Sequence, residues 1–379
     1  MTAIHESDRW DAIVMGAGPA GAIAARQLGL QRKHVLLIDK ATLPRDKVCG
    51  GCLGGAALTL LNGVGLGHVP TACQGMPLRT FELSSGGITA RIPIGERMAI
   101  SRHTFDDALV REAMRAGVVV CDKAHGTLQP VTEDNCRTVT LRQMGNEVRA
   151  RADVVIVATG LANVPSECVA NAAHQSLIGL GALSDHAPCN YVPGSLHMAY
   201  GSAGYVGITA VDRSRFDIAA AIDPRALAAA ESPGRLVQEI LRASGSILTA
   251  DWENLQWHGT PSLTRRTLPI ASHRCLLIGD AAAYVEPFTG EGIGWAMQSG
   301  ALAASLLTGS LGQWDDTIES RWKRLFDKTT GNRHRFCHTL CRCMRIKAVR
   351  QLAVRGLRQA PCLGEPVVRI LDRPFGHTC

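Results

Sequence analysis

Three groups of residues in this chain have the types and spacing to do chemistry. The first is an apolar run, Leu276-Leu277-Ile278, that ends in Gly279-Asp280. Pro287, Gly290 and Gly292-Ile293 follow shortly after, at the entrance to an apolar helix read over Trp295–Leu307. Such an order delivers one carboxylate at a strand end and aims a helix N-terminus at an electron-rich ligand. The second is Gly16-Ala17-Gly18-Pro19-Ala20-Gly21, between the apolar run Ala12–Met15 and a helix. Its glycines permit a tight turn and close approach to a pyrophosphate, whose charge the helix N-terminus favours. Asp39-Lys40 closes the following strand, His34–Ile38, and Asp39 lies 18 positions beyond Gly21, close to the spacing of about 20 for the acid that binds ribose hydroxyls. The third is Cys49-Gly50-Gly51-Cys52, with Arg45 and Lys47 just before it, cations that can favour a thiolate.

These groups need elements to hold them. A helical pattern, Arg102, Phe105, Asp106, Leu109 and Ala113, stops at Gly117 and leads into a strand at Val118–Val120. Strands are expected at Thr138–Leu141, Asn146–Ala150 and Val154–Ala158, the last running into Thr159-Gly160. The central segment reads differently. Tyr205–Val211 and Arg215–Ile222 form a hairpin pattern around Asp212-Arg213-Ser214, and with Thr80–Ser84 and Gly87–Ile94 they predict an antiparallel sheet. Ala226–Leu241 predicts one helix, and 313–358 reads as mostly helical and basic. The fold expected is α/β (α+β): a Rossmann-like nucleotide-binding domain (8–75, 100–160 and 270–312) interleaved with an antiparallel β-sheet substrate domain (76–99 and 161–269), then a helical C-terminal region (313–379).

Composition narrows the partners. With 40 basic and 33 acidic residues the net charge is +7, concentrated toward Arg321–Arg373. No nucleic-acid motif accompanies that excess, so no nucleic-acid partner is expected; a solvated helical surface is, or one that meets an acidic carrier protein or transiently an anionic membrane surface. No apolar run reaches the ~18 residues of a membrane span. Met1–Arg9 is polar, without a signal-peptide core, and the expected location is cytoplasmic. In that compartment the 13 cysteines are expected as thiols. No metal is expected; His334, Cys337, His338, Cys341 and Cys343 read as one face-rich helix, with buried thiols favoured over ligands.

Together these motifs resemble the FAD-dependent oxidoreductases of the para-hydroxybenzoate hydroxylase fold, most closely their geranylgeranyl reductase-like branch. The resemblance covers about 10–310 and rests on Gly16–Gly21 with Asp39, Lys47–Gly51, Arg102-x-x-Phe105-Asp106-x-x-Leu109, and Gly279-Asp280 through Gly292. It implies FAD as cofactor and NAD(P)H as electron donor. Asp280 would bind the ribityl chain, Gly290–Ile293 would lie against the isoalloxazine, Arg102 would help hold FAD, and Cys49–Gly51 would line the flavin on the substrate side. Three departures stand out: Thr159-Gly160 where the hydroxylases carry Asp-Gly, Gly204–Thr209 in place of the reductases' aromatic Tyr-x-Trp-x-Phe-Pro stretch, and Trp252–Trp257 unlike the halogenase Trp-x-Trp-x-Ile-Pro signature. The leading expectation is an NAD(P)H-dependent monooxygenase of an apolar or aromatic small molecule of secondary metabolism. A C=C reductase with Cys49 as the proton donor, and a flavoprotein passing electrons to a quinone or protein partner, are the alternatives.

Overall fold

The computed structural model describes residues 4–6, 8–131, 135–161, 164–286, 288–309, 314–315 and 317–375, so Pro287 lies outside the described residues. Its first sheet is built on the apolar runs. Arg9–Met15 sits between Val35–Ile38 and Asn146–Val157, all parallel; Val119–Cys121 extends one side and Cys275–Leu277 the other. Strands so placed are covered on both faces, which is why they read as unbroken apolar segments. The helix Pro19–Leu30 packs across them against Gly292–Leu307, so close that a Cβ at Gly300 would overlap the Ala20 carbonyl oxygen. The two nucleotide motifs, far apart in sequence, thereby share one end of one sheet.

The strands expected at 146–150 and 154–158 are one, Asn146–Val157. Its first half pairs antiparallel with Arg137–Gln143 and alternates outward-facing residues with buried ones; its second half is buried and pairs parallel with Arg9–Met15. Asp153, at the change, forms an ion pair with Arg9 of the neighbouring strand at 3.0 Å, so the polar interruption is a cross-strand contact and not a turn.

The second sheet runs His258–Ser262, Ile178–Ser184, Phe216–Ile222, Gly204–Ala210, Ser195–Tyr200, Met76–Ser85, Ile88–Ala99, Cys52–Leu53. The expected hairpins are present, but Ser195–Tyr200 lies parallel to Met76–Ser85. Long excursions separate those two strands, so no tight turn dictates their direction. On the outer face the helix Pro233–Ser244 buries Leu236, Val237, Ile240 and Leu241 on Val206, Ile208 and Ile218. The single helix expected over Ala226–Leu241 is two, Pro224–Ala229 and Pro233–Ser244. Pro233 disfavours a helical residue before it, and Ser232 instead caps the second helix by accepting from Arg235 N–H.

Helices Thr317–Phe326, Asn332–Arg345, Lys347–Gln359 and Glu365–Asp372 wrap the joint between the sheets. Trp322 donates to Leu277 O at 3.1 Å, and the Arg350 guanidinium lies 4.5 Å above the Tyr200 ring. Among the described residues no helix is long and apolar enough to cross a membrane.

Candidate active site

A cavity of about 1230 Å³ separates the two sheets. Ligand pockets commonly span about 300–1,000 Å³, so this one can take a large cofactor and a second molecule beside it. Of the residues singled out by sequence, Gly16, Gly18, Pro19, Ala20, Asp39, Lys40, Cys49, Gly50, Arg102, Asp280, Gly290, Gly292 and Ile293 line it. Gly21, Gly51 and Gly279 stand behind its wall. A Cβ at Gly21 would overlap the Gly16 carbonyl oxygen, so this glycine seats the helix on its strand. Gly51 has φ +59, and a Cβ there would lie 2.5 Å from Ile100 O, whose own N–H donates to Gly51 O; Gly51 turns the Cys49 loop into the second sheet. Gly279, at φ +56, backs Ala20.

Asp39 binds the chain to itself before any ligand. Its carboxylate accepts from Ala17 N–H and Ala41 N–H, both at 2.9 Å, and from Arg45 at 3.2 Å. Since a carboxylate has about four acceptor sites, one remains for a ribose hydroxyl. Arg45 also faces Asp106, which grips Arg102 through two bonds of 2.8 and 2.7 Å. Arg102 is therefore no exposed pair: it is buried at the cavity wall. Burial works against its charge, but Asp106 more than offsets this and holds the guanidinium protonated. The sequence placed Arg45 and Lys47 as the cations beside Cys49; the one that faces the Cys49 sulfur is Arg102, with Arg45 spent on two carboxylates.

Asp280 sits in a short turn, Gly279–Ala281, well before the helix Gly292–Leu307, and so does not cap it. Its half-buried carboxylate takes no hydrogen bond from any described residue and opens onto the cavity. Burial raises its pKa; Lys47, Arg102 and Arg265 pull it down. Lys47 answers in kind, lowered by burial and by Arg102 while Asp280 supports its charge. Its Nζ rests against Gly160, where a Cβ would be only 2.9 Å away.

The turn before Gly292 is clamped from behind. Gly290 (φ +74) packs on Cys52, and buried Glu291 accepts from Arg97 at 3.0 Å. Arg97 also binds Asp372 of the last helix at 2.7 Å, and Asp372 accepts from Gly55 N–H at 3.3 Å. Cys52 is a free thiol, as is Cys49; burial pushes Cys52 up to about 12. Sequence reasoning missed this clamp because its partners lie 194 and 275 positions apart.

The far wall is the second sheet. Tyr205, Gly207 and Thr209 alternate toward the cavity from one strand, Asp217, Ala219 and Ala221 from the next, with Leu196, Met198, Tyr284 and Phe288 around them. Tyr205 and His258 of this region also line the cavity. Tyr191 instead donates to Ser195 O, His197 lies buried beside Glu82, Tyr200 packs under Arg350, and Trp257 donates to Trp252 O. In the C-terminal cluster His334 packs edge-on to Trp295 at 4.6 Å, Cys337 and Cys341 are buried, and Cys343 is exposed.

The cavity thus fits a flavin dinucleotide on this chain's own geometry: a glycine cradle at a helix N-terminus, an acid with a free acceptor site at one end, a carboxylate midway that takes no hydrogen bond from any described residue, and a glycine turn at the other end. Comparison with known proteins agrees. Residues 9–317 match the family described as FAD binding domain. The menaquinone reductase of Mycobacterium tuberculosis is 27% identical over 361 residues, covering 84% of this chain and 82% of that protein. Digeranylgeranylglycerophospholipid reductase 2 of Methanococcoides burtonii is 26% identical over 359 residues, covering 86% and 82%. The solved flavin-dependent brominase Bmp2 superposes with a TM-score of 0.78 at 18% identity over 97% of this chain and 94% of its own, a likeness of fold. The chain belongs to the FAD binding domain family and is an FAD-dependent oxidoreductase of the para-hydroxybenzoate hydroxylase fold.

Proposed function

We propose that the protein reduces a carbon–carbon double bond in an apolar, isoprenoid- or quinone-like molecule, drawing on NAD(P)H. The observation that carries this reading is the juxtaposition of Cys49 and Arg102 with an apolar wall in the same cavity as the cofactor cradle. The names of the relatives, reductases of menaquinone and of an isoprenoid phospholipid, support it. Bound FAD, once reduced by NAD(P)H, would supply the hydride, and the second hydrogen would arrive as a proton. Gly16, Gly18, Asp39 and Asp280 would hold its phosphates and sugars, and the Gly290–Ile293 turn would meet its ring system. Cys49 offers a thiol proton at the cavity, and the Arg102 guanidinium stabilises the thiolate left behind. Leu196, Met198, Tyr205, Tyr284 and Phe288 exclude water from that corner.

A hydroxylase acting on an aromatic ring is the second reading, favoured by the aromatic residues that line the cavity together with the small residues Gly207, Ala219 and Ala221. The two separate cleanly. With enzyme reduced by NADPH under anaerobic conditions, a reductase reoxidises when the substrate alone is added; a hydroxylase waits for oxygen.

An apolar substrate of this class resides in membranes, and the C-terminal helices carry a matching surface. Ile346, Val349, Leu352, Leu363 and Ile370 are exposed among Lys347, Arg355, Arg358 and Arg369. Exposed apolar side chains interleaved with basic ones suit an anionic bilayer surface. They suit it better than an acidic carrier, which would use the charges alone.

A further inference from the structure

We infer that Asp217 receives the oxygen end of the substrate, donating a hydrogen bond from its carboxyl to a carbonyl or hydroxyl oxygen of an otherwise apolar molecule. This rests on the reading that the cavity takes such a substrate; it adds the group that orients it.

Asp217 lies on Phe216–Ile222, in the interior of the second sheet, between Ile178–Ser184 and Gly204–Ala210. Strand alternation sends Ile218, Ala220 and Ile222 to the outer core with the helix Pro233–Ser244. It sends Asp217, Ala219 and Ala221 to the cavity. Asp217 is only 8% exposed, yet its carboxyl takes no hydrogen bond from any described residue. Thr209, directly opposite in register, spends its hydroxyl on Ser195 O, and Arg215 turns to Asp212 and Ser101. Buried polar groups are normally paired, and one left open toward a cavity is reserved for what enters it.

The surroundings decide what kind of partner. Burial pushes the Asp217 carboxyl well above the usual carboxylate range; Arg102 opposes the shift and Asp46 adds to it, while the Cys52 thiol nearby is itself raised by Asp217. A carboxyl that keeps its proton is a donor, so it pairs with an oxygen acceptor and not with a cation. The floor beside it is made of small residues, and Gly50 lies next to it: an added Cβ would make ordinary contact with the Ala219 methyl, at 3.9 Å. Asp217 and the Cys49 loop are therefore two sides of one corner, and an oxygen held at the first places the neighbouring carbons under the second.

The test is binding to FAD-loaded protein, followed by quenching of flavin fluorescence, with no turnover needed. The probes are menadione, geranylgeraniol, and 2-methylnaphthalene, which has the ring system of menadione without its oxygens. Losing one such bond corresponds to about tenfold in affinity. Asp217→Leu should bind menadione about tenfold more weakly and 2-methylnaphthalene no more weakly than wild type. Asp217→Asn, which keeps a neutral donor, should stay within about threefold of wild type, and guards against a folding artefact. Wild-type affinity for menadione should fall as rising pH ionises the carboxyl, while that of Asp217→Asn stays flat. The assignment is overturned if Asp217→Leu binds menadione as wild type does, or if wild type prefers 2-methylnaphthalene. If wild type binds neither menadione nor geranylgeraniol, the substrate reading itself falls, and the role of Asp217 with it.

Discussion

Replacing Arg97 by Met tests whether the turn proposed to meet the flavin is held from behind by a buried ion pair. Glu291 is 1% exposed, and its contact with Arg97 is 3.0 Å. Breaking a buried pair by removing one partner typically costs about 3–5 kcal/mol, because a charge is left uncompensated. Here the penalty has a ceiling. Burial already raises Glu291, with Arg97 the main restraint, so without Arg97 the carboxyl can take a proton. Protonating it at pH 7, against an unfolded-state pKa of about 4.3, costs roughly 3.7 kcal/mol at about 1.36 kcal/mol per unit. Loss of the Asp372 bond adds about 1 kcal/mol. The expected loss is about 4–5 kcal/mol at about pH 7. It should shrink toward about 2–3 kcal/mol at about pH 5.5, where the proton costs roughly 1.6 kcal/mol, and grow at about pH 8.5. Urea denaturation of the wild type and of Arg97→Met at the three pH values reads this directly. Glu291→Gln in the Arg97→Met background should recover most of the pH-dependent part. A loss below about 0.5 kcal/mol, or one that does not change with pH, would refute the clamp.

Three other outcomes follow. Asp280→Ala should weaken FAD binding by about 100-fold, the value of two hydrogen bonds to a charged acceptor. Apoprotein stability should change little, because no described residue hydrogen-bonds that carboxylate; fluorescence titration of the apoprotein, with a thermal melt beside it, checks both parts. Burial depresses His334 to about 3, so the unfolded chain takes up its proton first as pH falls. Stability from this group is complete above about pH 6.5 and lost below it, by about 2 kcal/mol at pH 5, and His334→Phe should flatten that slope in melts across pH. Leu352→Glu with Leu363→Glu should abolish co-sedimentation with phosphatidylglycerol vesicles while leaving FAD content unchanged; retention of full binding would remove the membrane surface from the account.

What was legible in the sequence was local. The cradle at Gly16–Gly21, the strand ending at Asp39 and the Gly279-Asp280 turn each carry their signal within a dozen or so residues, because backbone geometry and phosphate binding demand it there. The fate of Arg102 was half legible: its bond to Asp106 is an i,i+4 helix contact, but its burial and its place against Cys49 depend on a loop 53 positions earlier in the chain, between Arg102 and Cys49. Asp217 carried no signal. Phe216-Asp217-Ile218 followed by three alanines shows no preferred face, and the face was decided by the helix Pro233–Ser244 covering the other one. The clamp joins three segments that meet only after the last helix has docked. Likewise the parallel pairing of Ser195–Tyr200 with Met76–Ser85 leaves no local mark.

The central claim is that one cavity holds reduced flavin against an apolar alkene. Rapid mixing of the NADPH-reduced, FAD-loaded protein with geranylgeraniol or menaquinone under strict exclusion of oxygen tests it most directly. The account predicts reoxidation of the flavin together with a product that has gained two hydrogens by mass spectrometry, and slower reoxidation in Cys49→Ala. Flavin that stays reduced with either compound until oxygen is admitted, and then yields an oxygenated product from an aromatic substrate, would contradict it.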